Sequence, residues 1–448
     1  MSKRINYIIS ELKDQYLIDD NLRPWIIGFS GGKDSTALLQ LVWLAISEVP
    51  VNERKREVHV VCNDTLVENP IIQAYVYEVL EKIKEASISM NMPIRVDTTI
   101  PRLEDTFWVN VIGRGYPVPN NAFRWCTDKM KIKPTSRFLT DQVAENGSAI
   151  ILIGTRSSES ATRAKSIKKH EIRGKRLTKH PHNPNTYVYS PIKELQLEEV
   201  WYIINAMTSP WKADNSKLFQ IYMDASADDY ECPTIVTDKS HRSCGQSRFG
   251  CWTCTVVKED KSLTALKDKG YAWLEPLWNL RESMVKERNN PKNRLPIRRN
   301  MQNAVNSDGD NLGTYNSEYR IQLLEQVLKA QRSIQEQNQK IELITNQELV
   351  AIQVIWHRDA AYYNLNFQKT VSAIYNKIYD KEIEMEKHAE RIQREIDLLK
   401  SVCADEPSDF NLINELLTLQ RNKALLNRKR GLKDDMERVI EKYLNQSA

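Results

Sequence analysis

The chain has 448 residues, enough for two or three domains, and its 41% hydrophobic content can build a substantial core. No stretch approaches the roughly 18 apolar residues of a membrane-spanning helix, and the first residues lack the pattern of a signal peptide, so we expect a cytoplasmic location. The net charge of +5 does not by itself indicate a nucleic-acid-binding protein. The seven cysteines are an odd number, which argues against a disulfide framework.

A short apolar run over residues 25–29 predicts a buried strand, and the spacing of the apolar residues after position 36 predicts a helix. The glycine turn between them consists of Ser30, Gly31, Gly32, Lys33, Asp34 and Ser35. Glycines let the backbone approach a ligand closely, and the free N–H groups at the start of a helix attract phosphates. We interpret this turn as a phosphate-binding loop, although its spacing fits neither the Walker pattern nor GxGxxG. The alternative is a turn that only joins a strand to a helix.

Two further strands, predicted over residues 57–62 and 149–153, also end in polar segments. The residues considered as ligands there are Asp64, Thr65, Glu68, Gly154 and Arg156. Open α/β sheets place their ligands beyond the carboxyl ends of the strands, so we expect these residues to complete the site around the glycine loop. Asp64 and Glu68 could hold Mg²⁺ or a ribose, or they could be a helix cap and a surface acid.

An irregular segment is expected over residues 101–122, and long loops in compact domains tend to be functional. This segment leads into Cys126, whose basic neighbours in the sequence are Arg124, Lys129, Lys131 and Lys133. Positive potential lowers the pKa of a thiol and favours the reactive thiolate. Cys126 is therefore a candidate catalytic residue, and the alternative is an inert cysteine of the core.

A strongly basic stretch over residues 163–182 follows directly on the expected site and contains a single acidic residue, Glu171. A charge run of this kind is most often a solvated surface. Because this one adjoins the proposed phosphate loop, we favour contact with a phosphate-rich polymer such as a nucleic acid.

Four of the seven cysteines lie close together, and two of them form a Cys-x-x-Cys pair. They are Cys232, Cys244, Cys251 and Cys254. Clustered thiolates of this kind bind zinc or an iron–sulfur cluster, and the spacing does not choose between the two. The sequence therefore predicts a metal centre in this region.

The remainder of the chain carries fewer chemical signals. Residues 281–312 are basic and rich in Pro, Asn and Gly, which is typical of a loop or linker. From residue 317 onward, apolar residues at helical spacing predict three long, charged amphipathic helices, the third after Pro407. Helices of this type pack on each other or on partners, and we find no catalytic constellation among them.

Seven segments within residues 20–300 resemble, in the same order, the DndC family of DNA phosphorothioation sulfurtransferases. This family is a phosphoadenylylsulfate-reductase-like branch of the PP-loop ATP pyrophosphatases. The segments are SGGKDS, NDTLVE, RWCT, KIKP, GTRSSES, PIKE and SCGQSRFGCWTC. The resemblance implies an α/β fold in which a parallel PP-loop (HUP-like) sheet is flanked by helices, with a cysteine-rich cluster segment and an all-α carboxyl-terminal region. The related proteins of the Ssp phosphorothioation system are an alternative.

The resemblance also implies an activity. ATP with Mg²⁺ would be split into AMP and pyrophosphate to activate a DNA phosphodiester, and sulfur from a cysteine desulfurase would replace a non-bridging oxygen. Lys33, Asp34 and Cys126 would be catalytic, and a [4Fe–4S] cluster would be bound. DNA and other subunits of the phosphorothioation complex would be the partners, without a membrane.

On this basis we expect four regions along the chain. They are a PP-loop ATP pyrophosphatase domain over 1–215, a cysteine-rich cluster segment over 216–280, a basic linker over 281–316 and a helical interaction domain over 317–448.

Five cysteines compete for the four ligand positions of such a cluster. In one reading the four clustered cysteines bind the metal, and Cys126 is left to carry sulfur as a persulfide. In related sulfonucleotide reductases, a cysteine pair at the position of Cys126 and Thr127 ligates the cluster, and on that pattern Cys232 would be the spare residue. We favour the first reading.

Three other functions are compatible with the sequence. A sulfonucleotide reductase usually reduces with a cysteine near its carboxyl terminus, whereas the last cysteine here is Cys403. A tRNA thiolase is a second alternative, although no extra RNA-binding module is recognisable at the amino terminus. A non-catalytic DNA-binding scaffold is the alternative from a different class.

Overall fold

The computed structural model describes residues 2–18, 22–170, 175–181, 183–225, 250–296, 304, 312–338, 340–358, 370–371, 373–374, 385–404, 407–424, 436–437, 440–441 and 443–444. These residues belong to two compact units, Met1–Tyr375 and Asn376–Ala448.

A six-stranded sheet organises the first unit. Its strands are β1 (Trp25–Gly28), β2 (Val58–Asn63), β3 (Ile94–Thr99), β4 (Ala149–Leu152), β5 (Thr178–Lys179) and β6 (Thr186–Tyr189). Their order across the sheet is β3-β2-β1-β4-β6-β5, and each neighbouring pair is parallel except β5 with β6. The expected α/β fold with a parallel sheet is confirmed.

The central strand β1 is buried along its whole length, as its uninterrupted apolar sequence requires. Successive side chains of a strand point to opposite faces, so Trp25 and Ile27 enter one apolar core and Ile26 enters the other. Ile27 pairs in register with Val60 of β2 and with Leu152 of β4, and all three side chains belong to the same core. The sheet therefore holds the carboxyl ends of β1, β2 and β4 side by side.

Helices cover both faces of the sheet. Those of the first unit are α1 (Ser2–Ile18), α2 (Lys33–Ser47), α3 (Pro70–Ser89), α4 (Lys133–Asn146), α5 (Ala161–His170), α6 (Leu197–Ala206), α7 (Asn215–Ala225), α8 (Lys261–Asp268), α9 (Glu275–Glu287), α10 (Ser317–Asn338) and α11 (Asn346–Arg358). The larger core contains side chains of α1, α2, α3, α6 and α7, whereas α4 contributes to the core on the other face. The chain leaves β1 through α2 toward β2 and later reaches β4 on the opposite side of β1. The strand order therefore reverses between β1 and β4, which is where open α/β sheets bind ligands.

The strands predicted over residues 25–29, 57–62 and 149–153 correspond to β1, β2 and β4, and a short apolar segment at residues 93–96, also predicted to be a strand, corresponds to β3. The strands β5 and β6 were not predicted, because they are short and lie inside or beside the basic stretch. Helix α9 extends to Glu287 and so covers the first residues of the segment expected to be a linker.

The predicted helix around Leu323 is confirmed as α10. Its apolar residues Leu323, Leu324, Val327 and Leu328 are fully buried. Helix α11 was not identified from the sequence.

In the second unit, the described helices are α12 (Met385–Val402) and α13 (Pro407–Ala424). They correspond to parts of the two long helices predicted after α10, and α13 begins at Pro407 as expected for proline in a first helical turn. The stretch 425–435 of the third predicted helix lies outside the described residues. None of the described helices is long and apolar enough to cross a membrane.

Candidate active site at the carboxyl ends of β1, β2 and β4

The glycine loop joins β1 to α2, as predicted. Gly31 has a φ of +73°, and a Cβ atom at this position would lie 2.5 Å from Cγ2 of Val76. Glycine is therefore required here both for the backbone conformation and for the close approach of α3. The hydroxyl of Ser35 donates to the carbonyl of Gly32 at 3.0 Å, and the Ser30 and Ser35 oxygens lie 3.3 Å apart. These contacts fix the loop at the amino end of a fifteen-residue helix, where backbone N–H groups and the helix dipole attract anions.

A buried ion pair connects this loop to the exit of β4. Nε of Arg156 lies 2.6 Å from Oδ1 of Asp34, and Nζ of Lys33 lies 3.4 Å from Oδ2 of the same carboxylate. The two cationic side chains are 1–2% exposed. Gly154 permits the approach, since a Cβ atom there would lie 3.0 Å from the carbonyl oxygen of Asp34. The structure thus brings together the glycine loop and the GTR segment, as the sequence predicted.

Glu159 adds a second acid to this cluster. It accepts a hydrogen bond from the backbone N–H of Arg156 at 3.2 Å and lies 3.5 Å from Nε of Arg163. Burial, and then the charge of Asp34, raise the pKa of Glu159 to about 7. The cluster therefore contains one carboxyl group whose charge changes near neutral pH.

Tyr222 on helix α7 contacts the glycine loop. Its hydroxyl accepts the backbone N–H of Lys33 at 2.9 Å, and Nζ of Lys33 lies 5.4 Å from the centre of its ring. A cation over an aromatic face is attracted by the ring quadrupole. Tyr222 therefore orients Lys33 from a residue 189 positions away in the sequence.

At the exit of β2, Asp64 has a structural role in addition to the predicted ligand role. Its Oδ1 accepts the N–H of Leu66 at 2.7 Å, and its Oδ2 accepts bonds from Gln73 at 3.2 Å and Tyr77 at 2.5 Å. These bonds hold the turn that follows β2, where Leu66 adopts a φ of +64°. Each carboxylate oxygen has two lone pairs, so protein donors already use much of the capacity of Asp64.

The cysteine segment meets the exit of β2 directly. Glu68 and Cys251 form an antiparallel bridge, in which the N–H of Trp252 donates to the carbonyl of Val67 at 3.0 Å. The Thr65 hydroxyl lies 3.2 Å from Sγ of Cys251 and 2.7 Å from Oε1 of Glu68. The NDTLVE and CWTC segments, which are far apart in the sequence, therefore form one corner of the site.

Burial is the main cause that raises the pKa of the Cys251 thiol well above its ordinary value, and the nearby charge of Glu68 raises it further. Burial likewise raises the pKa of Glu68, while Lys131 acts on both groups in the opposite direction. A buried thiol in this environment keeps its proton unless a cation replaces it, which is how a metal ion would bind here.

A series of contacting aromatic rings connects the cysteine pair to Cys126. Trp252 lies between Cys251 and Cys254 in the sequence, and its ring centre is 5.9 Å from that of Trp108. Phe107 continues the series, 4.9 Å from Trp108 and 5.7 Å from Trp125, which precedes Cys126. The pKa of Cys251 is also raised by Cys126, so the two thiols are electrostatic neighbours.

The basic surroundings of Cys126 are partly neutralised. Lys129 pairs with Asp105 at 2.6 Å, and Lys133 pairs with Asp128 at 3.2 Å. Four basic neighbours were expected to activate the thiol. Of these, Lys131 has a charge that acts to lower the pKa of both Glu68 and Cys251.

The segment 101–122, expected to be irregular, contains a buried π-helical turn, Val109–Gly113. Helices α10 and α11 hold it: Arg320 donates to the carbonyls of Ile112 and Gly113, and Trp356 donates to that of Ile112 at 2.9 Å. The segment is thus a packed support for the aromatic series.

The predicted metal centre can be assessed only in part, because Cys232 and Cys244 lie outside the described residues. The N–H of Cys254 donates to the carbonyl of Cys251 at 3.0 Å, so the pair spans a tight backbone turn. Among the described residues, no three potential metal ligands of the His, Cys, Asp and Glu type meet. The thiols of Cys251, Cys254 and Cys126 fit a thiophilic metal or an iron–sulfur cluster by their chemistry, with further ligands required.

Residues 24–257, just over half of the chain, match the phosphoadenosine phosphosulfate reductase domain family. The chain belongs to this family. The matched range begins just before β1 and ends after Cys254, so the reductase-family domain contains the glycine loop, the exits of β2 and β4, and the cysteine pair.

Other similarities are more distant. An uncharacterised protein of Methanocaldococcus jannaschii is 25% identical over 175 residues, which are 39% of this chain and 29% of that protein. The crystal structure of phosphoadenylyl-sulfate reductase from Candida auris, a phosphate complex, has 12% identity and a TM-score of 0.30 over 50% of this chain and 93% of that one. The U34-tRNA thiolase NcsA from Methanococcus maripaludis, with its [4Fe-4S] cluster, has 14% identity and a TM-score of 0.29 over 63% and 79%.

Within the reductase-family domain, sequence reasoning did not single out Tyr222, Glu159 or the aromatic series around Trp108. Glu159 could have been found, since it lies in the GTRSSES segment beside Arg156. No sequence signal marks Tyr222 or Trp108, because their roles depend on packing between segments that are distant in the chain.

Proposed function

We propose that this protein is an ATP-dependent sulfurtransferase of DNA phosphorothioate modification. In this reaction ATP is split into AMP and pyrophosphate to activate a DNA phosphodiester, and sulfur then replaces a non-bridging oxygen. The observation that carries the proposal is the placement of two chemistries at one edge of one sheet. The glycine loop, joined to the exit of β4 by the Asp34–Arg156 pair, lies at β1 and β4, and Cys251 of the Cys-x-x-Cys pair lies at the exit of the adjacent strand β2.

The phosphate half consists of the start of α2, Lys33 and Arg156. Their positive charges are fixed before the substrate arrives, so they are suited to stabilise the negative charge that develops on departing pyrophosphate. Oδ2 of Asp34 is buried and accepts no hydrogen bond from the described residues, although Lys33 lies 3.4 Å away. This oxygen fits the Mg²⁺ ion that accompanies ATP, and it is a better candidate than the already engaged Asp64.

The sulfur half consists of Cys126, Cys251 and Cys254. A [4Fe–4S] cluster would be held by Cys251 and Cys254, with Cys232 and Cys244 as the expected further ligands, which leaves Cys126 as the spare thiol. When bound, the cluster would supply a site for sulfur. The aromatic rings of Trp108 and Trp252 would exclude water from this corner, and Lys131 would favour anionic sulfur there. The sulfur would come from a cysteine desulfurase.

The two halves combine into a balanced reaction. A non-bridging oxygen of the DNA phosphodiester attacks the α-phosphorus of ATP, and pyrophosphate leaves. A thiol reductant supplies the two electrons that release the persulfide sulfur of the desulfurase as hydrosulfide. The hydrosulfide attacks the DNA phosphorus, which now bears AMP, and AMP leaves with the original oxygen. The role of the protein is to hold ATP, the phosphodiester and the sulfur near the carboxyl ends of β1, β2 and β4.

A sulfonucleotide reductase is the second candidate, because the family to which the chain belongs carries that name. In that case the same loop would hold the phosphosulfate group, and the thiols would reduce it. Other subunits of the phosphorothioation complex are partners under the first candidate only.

The test is a reconstitution with ATP, Mg²⁺, DNA, a cysteine desulfurase with cysteine, and a thiol reductant under anaerobic conditions. Release of pyrophosphate, together with phosphorothioate dinucleotides in a nuclease digest detected by mass spectrometry, is the expected result. The Asp34→Asn variant provides the inactive control. Reduction of phosphoadenosine phosphosulfate to sulfite, without DNA-dependent cleavage of ATP, would instead identify a reductase.

A further inference from the structure

A large cleft lies beside the phosphate loop, on the other side from the cysteine corner. It has a volume of about 870 Å³ and is bounded by α1, α5, β5 and β6. Its floor includes Ile153 and Thr155 at the exit of β4 and Ser190 at the exit of β6. The proposed reaction with ATP leaves this cleft without a role.

The walls of the cleft are basic. Six Lys and Arg side chains line it, Arg4, Arg163, Lys175, Arg176, Lys179 and Lys193. The acidic lining residues are Glu11 and Glu194. The cleft therefore has an excess of positive charge that suits a polyanion.

Four of these six basic side chains divide into two groups. Arg4 and Arg176 are held by carboxylates, with Arg4 3.0 Å from Glu199 and Arg176 2.8 Å from Glu11. Lys175 and Lys179 are exposed and form no ion pair within the described part of the chain. The paired arginines shape the wall, and the two lysines have their charge available for a ligand.

An aromatic ring lies in the same wall. Tyr7 on α1 lines the cleft and is 64% exposed, an unusual state for a large aromatic side chain. Exposed aromatic rings beside a basic groove are typical of proteins that stack the unpaired bases of a single strand. A duplex stacks its bases on one another and offers no free base faces along its length, so an exposed aromatic ring in the cleft favours a single strand.

The floor of the cleft connects it to the phosphate loop. Thr155 is 6% exposed, and its hydroxyl makes no hydrogen bond with the described residues. The next residue, Arg156, binds Asp34, and Arg163 of the cleft wall lies 3.5 Å from Glu159 of the same cluster. A phosphate on the floor would therefore meet an unused donor immediately beside the site of ATP cleavage.

We infer that the basic cleft binds a single-stranded DNA segment, with its phosphates on Lys175 and Lys179 and a base stacked on Tyr7. Thr155 then directs one phosphodiester toward the ATP loop. The identity of the polymer as DNA rests on the proposed function, whereas the binding of a single-stranded backbone rests on the cleft alone.

The test measures binding of a short fluorescein-labelled single-stranded DNA to the full-length protein by anisotropy, without ATP, over a range of salt concentrations. The double substitution Lys175→Ala/Lys179→Ala should weaken binding roughly tenfold and lower the slope of log K against log salt by about 1.4, since each phosphate contact on a single strand contributes about 0.7. Tyr7→Ala should weaken binding about fivefold or more through lost stacking. The matched control is Lys55→Ala/Lys84→Ala, two exposed lysines elsewhere on the domain, which should bind as the parent does.

Each outcome has a defined meaning. The inference would be overturned if the cleft variants kept the affinity and salt slope of the parent, or if they lost no more affinity than the control variant. It would also be overturned if duplex DNA bound as tightly as the single strand. An RNA of the same sequence binding well while DNA does not would assign the cleft to the other polymer and also overturn it. If DNA binds in the cleft but no pyrophosphate is released when ATP is added, the proposed function fails and the cleft assignment stands.

Discussion

Arg156 and Asp34 lie 122 residues apart in the sequence, yet Nε of the arginine is 2.6 Å from Oδ1 of the aspartate. The pair joins the first turn of α2 to the exit of β4, on the two sides of the position where the strand order reverses. Because both side chains are buried, their positions are set by packing before any substrate binds. This fixed arrangement is what electrostatic stabilisation of a leaving phosphate requires.

Asp34→Asn should abolish pyrophosphate release, because it removes the charge that orients Arg156 and Lys33. Breaking a buried ion pair on one side commonly costs about 3–5 kcal/mol, and Glu159, 3.9 Å from Arg156, should reduce that cost here. Urea denaturation and a pyrophosphate-release assay provide the two readouts. The control is Asp141→Asn, at an exposed position on α4, which should change neither. Full activity in the Asp34 variant would show that the pair is only structural.

Gly31→Ala should destabilise the loop and weaken ATP binding. It forces alanine into a φ of +73° and places its Cβ atom 2.5 Å from Val76, which together should cost about 2–4 kcal/mol. Gly147→Ala is a matched control, because Gly147 has a φ of +75° but open space around the added atom. It should lose about 1–2 kcal/mol in urea denaturation.

The double substitution Gly31→Ala/Val76→Ala separates strain from collision. If the collision matters, removing the two methyl groups of Val76 recovers part of the lost stability and of the ATP affinity. A double variant no more stable than Gly31→Ala alone would mean that backbone strain accounts for the whole effect.

Glu159 should make stability depend on pH. Its pKa in the folded protein is about 7, above the ordinary value of 4.5, so the folded state binds more protons than the unfolded state between these values. The free energy of unfolding should therefore fall as pH rises from about 4.5 to 7, by at most about 3 kcal/mol. Urea denaturation of Glu159→Gln should lack this loss, whereas Glu85→Gln, at an exposed position on α3, should retain it. Parallel pH profiles for parent and Glu159→Gln would contradict the assignment.

Anaerobically purified protein should contain about four irons and sulfide per chain, with a broad absorbance in the visible range. Cys251→Ser and Cys254→Ser should lose most of the iron, while Cys403→Ser, at a buried cysteine of the second unit, should keep it. Comparing Cys126→Ser with Cys232→Ser identifies the spare cysteine as the one whose loss leaves the iron in place. One zinc ion and no iron would make the centre a structural clip instead.

The strands and helices that have a clear local pattern of apolar residues could be predicted from the sequence. The apolar run before the glycine loop gave β1, and the helical spacing around Leu323 gave α10. The two-residue strand β5 was missed, because a polar Thr-Lys pair carries no local strand signal and is held by pairing with β6. In the segment 101–122, residues 115–122 are irregular as expected, but the π-helical turn before them was missed, since it depends on Arg320 and Trp356 from later helices.

In the candidate site too, some features follow from local sequence patterns and others only from the tertiary structure. The amino-acid sequence by itself determined the strand, glycine turn and helix, the polar segments at the strand exits and the Cys-x-x-Cys pair, because each of these is a local pattern. Only the tertiary structure decided that Arg156 clamps Asp34, that Tyr222 orients Lys33, and that Cys251 lies against Glu68. The reason is that backbone geometry and hydrophobic periodicity act over a few neighbouring residues, whereas these contacts form only when the sheet brings distant segments to one edge.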